Sequence, residues 1–197
     1  MRNRVRHTDD NLPSWVDRFD DVVDRAWGRA FRGRPQVDRL FYLASDLGDF
    51  SLIWQFLGAA QGVRSERDAD ASIRLATVLL AESLLVNQGI KRLVNRPRPQ
   101  AIDPRPLELR APLTSSFPSG HASSAFTAAG ILSDHDPALR PLFYAVAVVV
   151  ATSRVHVQIH HASDVLAGAA LGIAFAKIAT KAWPLPPHGT EPAAVLP

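Results

Sequence analysis

The sequence predicts an all-helical bundle, and three observations carry that reading. Five apolar stretches follow one another between residues 40 and 180, period-two alternation is absent, and the segment ahead of them has helical amphipathic spacing. The chain has 197 residues, 47% hydrophobic and 21% charged, which suits one domain with a sizeable core and excludes a disordered chain. Zero cysteines exclude a disulfide scaffold, a zinc ribbon, a thiol nucleophile and a thiolate-held cluster.

The first element spans residues 14–31. Trp15, Phe19, Val22, Val23, Ala26, Trp27 and Ala30 recur at helical spacing, with Asp and Arg on the other face, and Gly33 and Pro35 follow its end. It is too charged to cross a bilayer; lying on a membrane surface and packing on its own domain both fit. Residues 1–39 hold nine arginines, but aspartates are interspersed, so a solvated face is favoured over a nucleic-acid or anionic-lipid surface.

The apolar stretches cover residues 40–62, interrupted by Asp46, Gly48 and Asp49, then 73–94, with Glu82, Asn87 and Gln88 inside, then 122–132, 142–152 and 165–179. A transmembrane helix needs ~20 predominantly apolar residues. None of the stretches is a charge-free run of that length. The second, fourth and fifth reach it when their polar residues face a bundle interior. Gly168, Ala169, Ala170 and Gly172 suit close helix packing. Hydropathy therefore permits a membrane bundle or a buried soluble one. Residues 96–118 are proline-rich and cannot be helical throughout. The tail, 184–197, reads as disordered.

Three polar clusters sit at ends of these stretches. The first runs from Lys91 to Pro99, with Lys91, Arg92, Arg96 and Arg98 within eight residues. Arg offers a planar fork to phosphate and Lys a point charge; a basic helix end favoured by the macrodipole is the alternative. The second, Ser116 to His121, precedes an apolar helix. Free N–H groups at a helix start bind anions, Gly120 admits close approach, Ser119 adds a hydroxyl and His121 a proton relay; an ordinary N-cap is the alternative. The third runs from Ser153 to Asp164. His160 and Asp164 are four apart and would share a helix face, so the carboxylate would fix the tautomer of the imidazole. Asp164 would otherwise be an early-turn acid complementing the dipole. The spacing of His156, His160 and Asp164 also permits a zinc site, which the surrounding cations disfavour.

Taken in order, these motifs resemble the type 2 phosphatidic acid phosphatase family, which is similar at its active site to bacterial acid phosphatases and vanadium haloperoxidases. Its pattern is Lys, six residues, Arg-Pro; then Pro-Ser-Gly-His; then Ser-Arg, five residues, His, three residues, Asp. Lys91 to Arg98-Pro99, Pro118-Ser119-Gly120-His121, and Ser153-Arg154, His160 and Asp164 fit it. Arg96-Pro97 is two residues short of the required spacing. Gln158 stands where the family often has glycine, and His161 where an aromatic often follows the histidine.

The resemblance implies an all-α membrane bundle, usually of six spanning helices; here the apolar stretches supply about five and the N-terminal amphipathic helix holds the place of the first, with the phosphatase domain at 40–183 between a basic segment at 1–39 and the tail. It implies a metal-independent lipid phosphate phosphatase that uses no cofactor. Lys91, Arg98, Arg154, Ser119 and the Gly120 amide would grip the phosphate. His160 would attack phosphorus, Asp164 would orient it, and His121 would protonate the leaving oxygen. The implied partners are a lipid phosphate substrate and a membrane, with no nucleic acid. The implied location is a multi-pass cell-membrane protein with its site at the extracytoplasmic face, although counting basic residues alone points inward. A soluble acid phosphatase or haloperoxidase is the alternative, and a basic nucleic-acid-binding protein the more remote one.

Overall fold

The computed structural model describes residues 14–100 and 114–185. Arg2, Arg4 and Arg6 of the basic segment, the middle of the proline-rich loop and the tail beyond residue 185 lie outside the described residues. Within them every regular element is a helix: α1 (Ser14–Phe31), α2 (Pro35–Leu47), α3 (Leu52–Gly62), α4 (Glu66–Ser83), α5 (Lys91–Leu93), α6 (Gly120–His135), α7 (Arg140–His156) and α8 (Ala162–Ala182). The expected first helix has the observed bounds, and Gly33, at φ 78°, follows its end.

The expected stretch at 40–62 is two helices. A short 3-10 turn, Asp49–Ser51, separates α2 from α3, and Ser51 has φ 58°. Asp46, Gly48 and Asp49 are poor helix formers, and the break leaves Ser45 and Asp49 at the same end of the bundle as the three motifs. The stretch at 73–94 is continuous in space, but its last turns widen into a π-helical segment, Leu84–Ile90, before α5. Of its three polar residues, Glu82 is buried and Asn87 half-buried, whereas Gln88 is exposed and accepts from Arg92 at 2.5 Å.

Five segments run between two ends: α3, α4 through α5, α6, α7 and α8. At the end away from the motifs, buried Arg74 donates to Asp134 at 2.8 Å and to the Trp183 carbonyl at 3.0 Å, and His135 pairs with Asp68 at 2.6 Å. At the other end α7 stops at His156 and α8 starts at Ala162. Residues 137–156 and 162–182 are the two helices, among the described residues, that are long and apolar enough to cross a membrane. α6 is too short, and α4 carries Glu66, Arg67, Asp68, Asp70 and Arg74 in its first half. Large apolar side chains point outward along the bundle, among them Phe56, Leu80, Leu84, Leu142, Val148, Leu166 and Ile178.

The core is built from Trp54, Leu75, Leu79, Ile131, Leu132, Phe143 and Val150 with alanines of α6 and α7. The most extensive helix pair is α6 with α8. Gly168 and Gly172 let it close, since a Cβ at either position would collide with the Ser119 or Ser123 carbonyl. α1 lies at the motif end. Val16 is buried, and Val23 and Trp27 pack on Ala122, Ala151, Val155, Ala162 and Val165. Trp15, Phe19 and Val22 on its other side are exposed. Thus α1 packs on its own domain and still presents an apolar stripe outward.

Two stability predictions follow from this packing. Gly172→Ala would place a Cβ 2.9 Å from the Phe126 Cβ and the Thr127 nitrogen, neither of which can yield without moving α6. Overpacking of this kind costs about 1–3 kcal/mol, so thermal melting in detergent should fall by several degrees. Gly89→Ala, with nothing within 4 Å, should change less and serves as the control. Gln158 sits at φ 54°. Left-handed backbone costs a non-glycine residue about 1–2 kcal/mol, of which the larger unfolded-state entropy of glycine offsets about half, so Gln158→Gly should raise the melting temperature by about 1–4 °C.

Candidate active site

All three motifs converge on one cavity of about 770 Å³, which Lys91, Arg98, Gly120, His121, Arg154 and His160 line. Each arrives from a different element. Lys91 opens α5 after the π-helical segment, and Arg98 follows Pro97 on the extended exit. Arg154 lies on the last turn of α7, 2% exposed, and donates to the Ser45 hydroxyl. Gly120 begins α6. A Cβ there would lie 3.1 Å from the side-chain Oδ1 of Asn87 and 3.6 Å from the Lys91 ammonium, so its bare face opens toward Lys91.

Ser119 is fully buried as the N-cap of α6, its hydroxyl accepting from the Ala122 N–H at 3.4 Å, and its own N–H donates to the Asp164 carbonyl at 3.0 Å. It stands behind Gly120 rather than among the cavity-lining residues. The capping reading of this cluster is the one observed, and it is compatible with the anion-site reading, because a capped helix start still has free N–H groups in its first turn.

His160 is 3% exposed and precedes α8 rather than sitting on it. His161 is the N-cap, and its N–H donates back to Asp164 Oδ2 at 2.9 Å in a capping box. That fold-back, not a shared helix face, brings His160 Nδ1 to 3.7 Å from Asp164 Oδ2. Ser116 bridges the gap: its hydroxyl donates to Asp164 Oδ2 at 2.6 Å and lies 3.4 Å from His160 Nδ1. On the far side of the ring, Arg98 Nη1 donates to His160 Nε2 at 3.2 Å. A guanidinium only donates, so Nε2 carries the lone pair and Nδ1 the proton. Burial pushes the His160 imidazole down to about 3, with Arg154 and Arg98 adding to the effect and Asp164 opposing it. The ring is neutral at physiological pH, with its unprotonated Nε2 facing Arg98.

His121 Nε2 lies 3.0 Å from Asp49 Oδ1 and 3.1 Å from the Ser45 carbonyl, so it is the donor nitrogen. A Cβ at Gly48 would lie 2.6 Å from the His121 ring. Gly48 and Asp49, legible in the sequence only as interruptions, thus seat the histidine. His156 turns the other way: it accepts from the Trp27 indole at 3.2 Å and pairs with Asp38 at 2.9 Å. The spacing of His156, His160 and Asp164 therefore does not gather them, because α7 ends between the first two.

Sequence reasoning missed further residues here. Arg96, set aside as out of register, is buried and donates to Asp164 Oδ1 and, at 2.7 Å, to Asp20 of α1. Glu82, 2% exposed, lines the cavity, and its Oε1 has no hydrogen-bond partner among the described residues. These contacts span up to 76 residues of sequence, and no local pattern announces them.

The PAP2 superfamily profile matches residues 71–185. The chain is 31% identical over 152 residues to the decaprenylphosphoryl-5-phosphoribose phosphatase of Mycolicibacterium smegmatis, covering 77% of this chain and 82% of that one. The fold is similar to a transmembrane PAP2-type phosphatidylglycerolphosphate phosphatase from Bacillus subtilis, with TM-score 0.66, 25% identity and 86% of each chain covered. It is also similar to Aquifex aeolicus LpxE, with TM-score 0.67, 27% identity, 83% of this chain and 95% of that chain covered. With more than half of its length matched and its motif residues drawn around one cavity, this chain belongs to the PAP2 superfamily.

Proposed function

We propose that the protein is a membrane lipid phosphate phosphatase that works through a phosphohistidine on His160. The observation that carries this reading is one cavity lined by three cations, Lys91, Arg98 and Arg154, together with a neutral imidazole whose Nε2 accepts from Arg98. Phosphoryl transfer needs positioning and charge stabilisation, and fixed cations supply both. Lys91, Arg98, Arg154 and the α6 N-terminus at Gly120, which Ser119 caps from behind, hold the nonbridging oxygens. His160 Nε2 attacks phosphorus, and the bond to the leaving oxygen breaks. Asp164, through Ser116, holds the Nδ1 proton and balances the cationic phosphoimidazole. His121 protonates the leaving oxygen, with Asp49 stabilising its charged form, and then takes a proton from the water that hydrolyses the intermediate. Since three side-chain cations serve the phosphate, a chelator should leave the rate unchanged.

Two helices of spanning length and the outward apolar side chains support a membrane location and a lipid substrate. The site lies at the end of these two helices, at the level of one membrane face. We assign that face as extracytoplasmic, treating its cations as held for chemistry rather than as topology signals. The cavity is within the ~300–1,000 Å³ of small-molecule sites, so it holds a headgroup along with the phosphate. Phosphate release from phosphatidic acid, phosphatidylglycerol phosphate, a polyprenyl phosphate or diphosphate and a polyprenyl-linked sugar phosphate, with vanadate as inhibitor, tests the reading. Vanadate-sensitive release from one of these lipids, by protein in the membrane fraction, is the expected result. Release from soluble esters alone, by protein outside the membrane fraction, would favour a soluble acid phosphatase.

His160→Ala should remove at least about nine-tenths of turnover while leaving a folded, detergent-stable protein, because a covalent nucleophile is not dispensable. In the free enzyme the His160 ring signals should not titrate between about pH 5 and 8, where an ordinary histidine does. A midpoint near 6.5 would contradict the buried neutral ring.

A further inference from the structure

We infer that α1 belongs to the catalytic apparatus: Asp20 acts through Arg96 as a positioning residue for Asp164. The inference rests on the assignment of His160 and Asp164 as the catalytic pair. Its geometry is a buried chain of charges. Arg96 Nη1 donates to Asp164 Oδ1 and, at 2.8 Å, to the Ser163 hydroxyl, and Nη2 donates to Asp20 Oδ2 at 2.7 Å. Asp20 Oδ1 accepts the Ser163 N–H at 2.8 Å, and its Oδ2 accepts the Ser163 hydroxyl at 2.7 Å. Asp20, Arg96 and Asp164 are 5%, 4% and 0% exposed, so solvent screens none of them.

The charge count explains why two carboxylates are needed. Arg96 alone would neutralise Asp164 and leave little negative charge for the imidazolium that forms at His160. With Asp20 sharing the guanidinium, the three groups carry a net charge of −1, directed at the ring. The planar fork of arginine reaches both carboxylates, which the point charge of lysine cannot. The same contacts fix the orientation of the Asp164 carboxylate. Arg96 holds Oδ1, while Ser116 and the His161 N–H hold Oδ2. The family profile begins at residue 71, so Asp20 and α1 lie outside the stretch it matches.

Asp20→Asn separates charge from shape, because the amide oxygen still accepts from Ser163. In the full-length protein in detergent, kcat on the best lipid phosphate should fall about 10- to 100-fold, the cost of a slightly misdirected reacting group, with KM within about twofold of wild type. In an Asp164→Asn background the same substitution should change kcat by less than about twofold, because two residues acting through one group are not additive. The inference is overturned if Asp20→Asn keeps kcat within about twofold of wild type, if only KM changes, or if its effect persists undiminished in Asp164→Asn. Should Asp20→Asn lack a cooperative melt, Arg96→Lys decides from the other end. An equal loss of kcat at constant KM supports the inference, and wild-type kcat sinks it. His160→Ala run alongside separates the two assignments. An active His160→Ala removes the catalytic reading itself, whereas an inactive one beside a wild-type-like Asp20→Asn removes only the role of α1.

Discussion

A carboxylate with no exposed surface governs the arrangement of this protein. Asp164 must be ionised to serve its histidine, and a buried charge is tolerated only when paired and fully hydrogen-bonded. Its donors come from separate parts of the chain: Arg96 from the proline-rich exit of α5, Ser116 from the segment before α6, and the His161 N–H from the α8 cap. Its carbonyl takes the Ser119 N–H, which ties the start of α6 to the start of α8. Satisfying this one residue assembles the site.

The packing of the bundle serves the same end. Glycines on α8 admit the backbone of α6, so the start of α6 stands beside the α7–α8 loop that carries His160. The break between α2 and α3 turns Asp49 and Ser45 inward, where they hold His121 and Arg154. The widened helical segment before Lys91 lies where α4 would otherwise continue with regular pitch, and π-helical turns of this kind recur at functional sites. Cations concentrated in a low-dielectric cavity repel one another, and an anion bound among them would relieve that repulsion.

Much of this was legible in the sequence, for physical reasons that differ by element. Helix periodicity fixes α1 to its observed bounds, because amphipathic spacing and Gly33 are local signals. The motif spacing identified Lys91, Arg98, His121, Arg154 and His160, and the structure brings them to one cavity. The pairing of His160 with Asp164 was expected from a shared helix face, whereas a capping box produces it. Asp20, Arg96, Ser116 and Asp49 were illegible in these roles because their contacts join distant segments, and hydropathy carries no information about which buried charges meet. Arg96 is instructive: its register excludes it from the phosphate-binding motif, and its side chain points to the carboxylate behind the histidine instead.

Covalent catalysis at His160 requires a phosphorylated imidazole, which can be trapped. Protein mixed with a lipid substrate radiolabelled at its phosphate and quenched within one turnover should carry label that is stable to base, labile to acid and mapped to His160. Label on another residue, or pre-steady-state product release with no labelled protein at any quench time, would contradict the account.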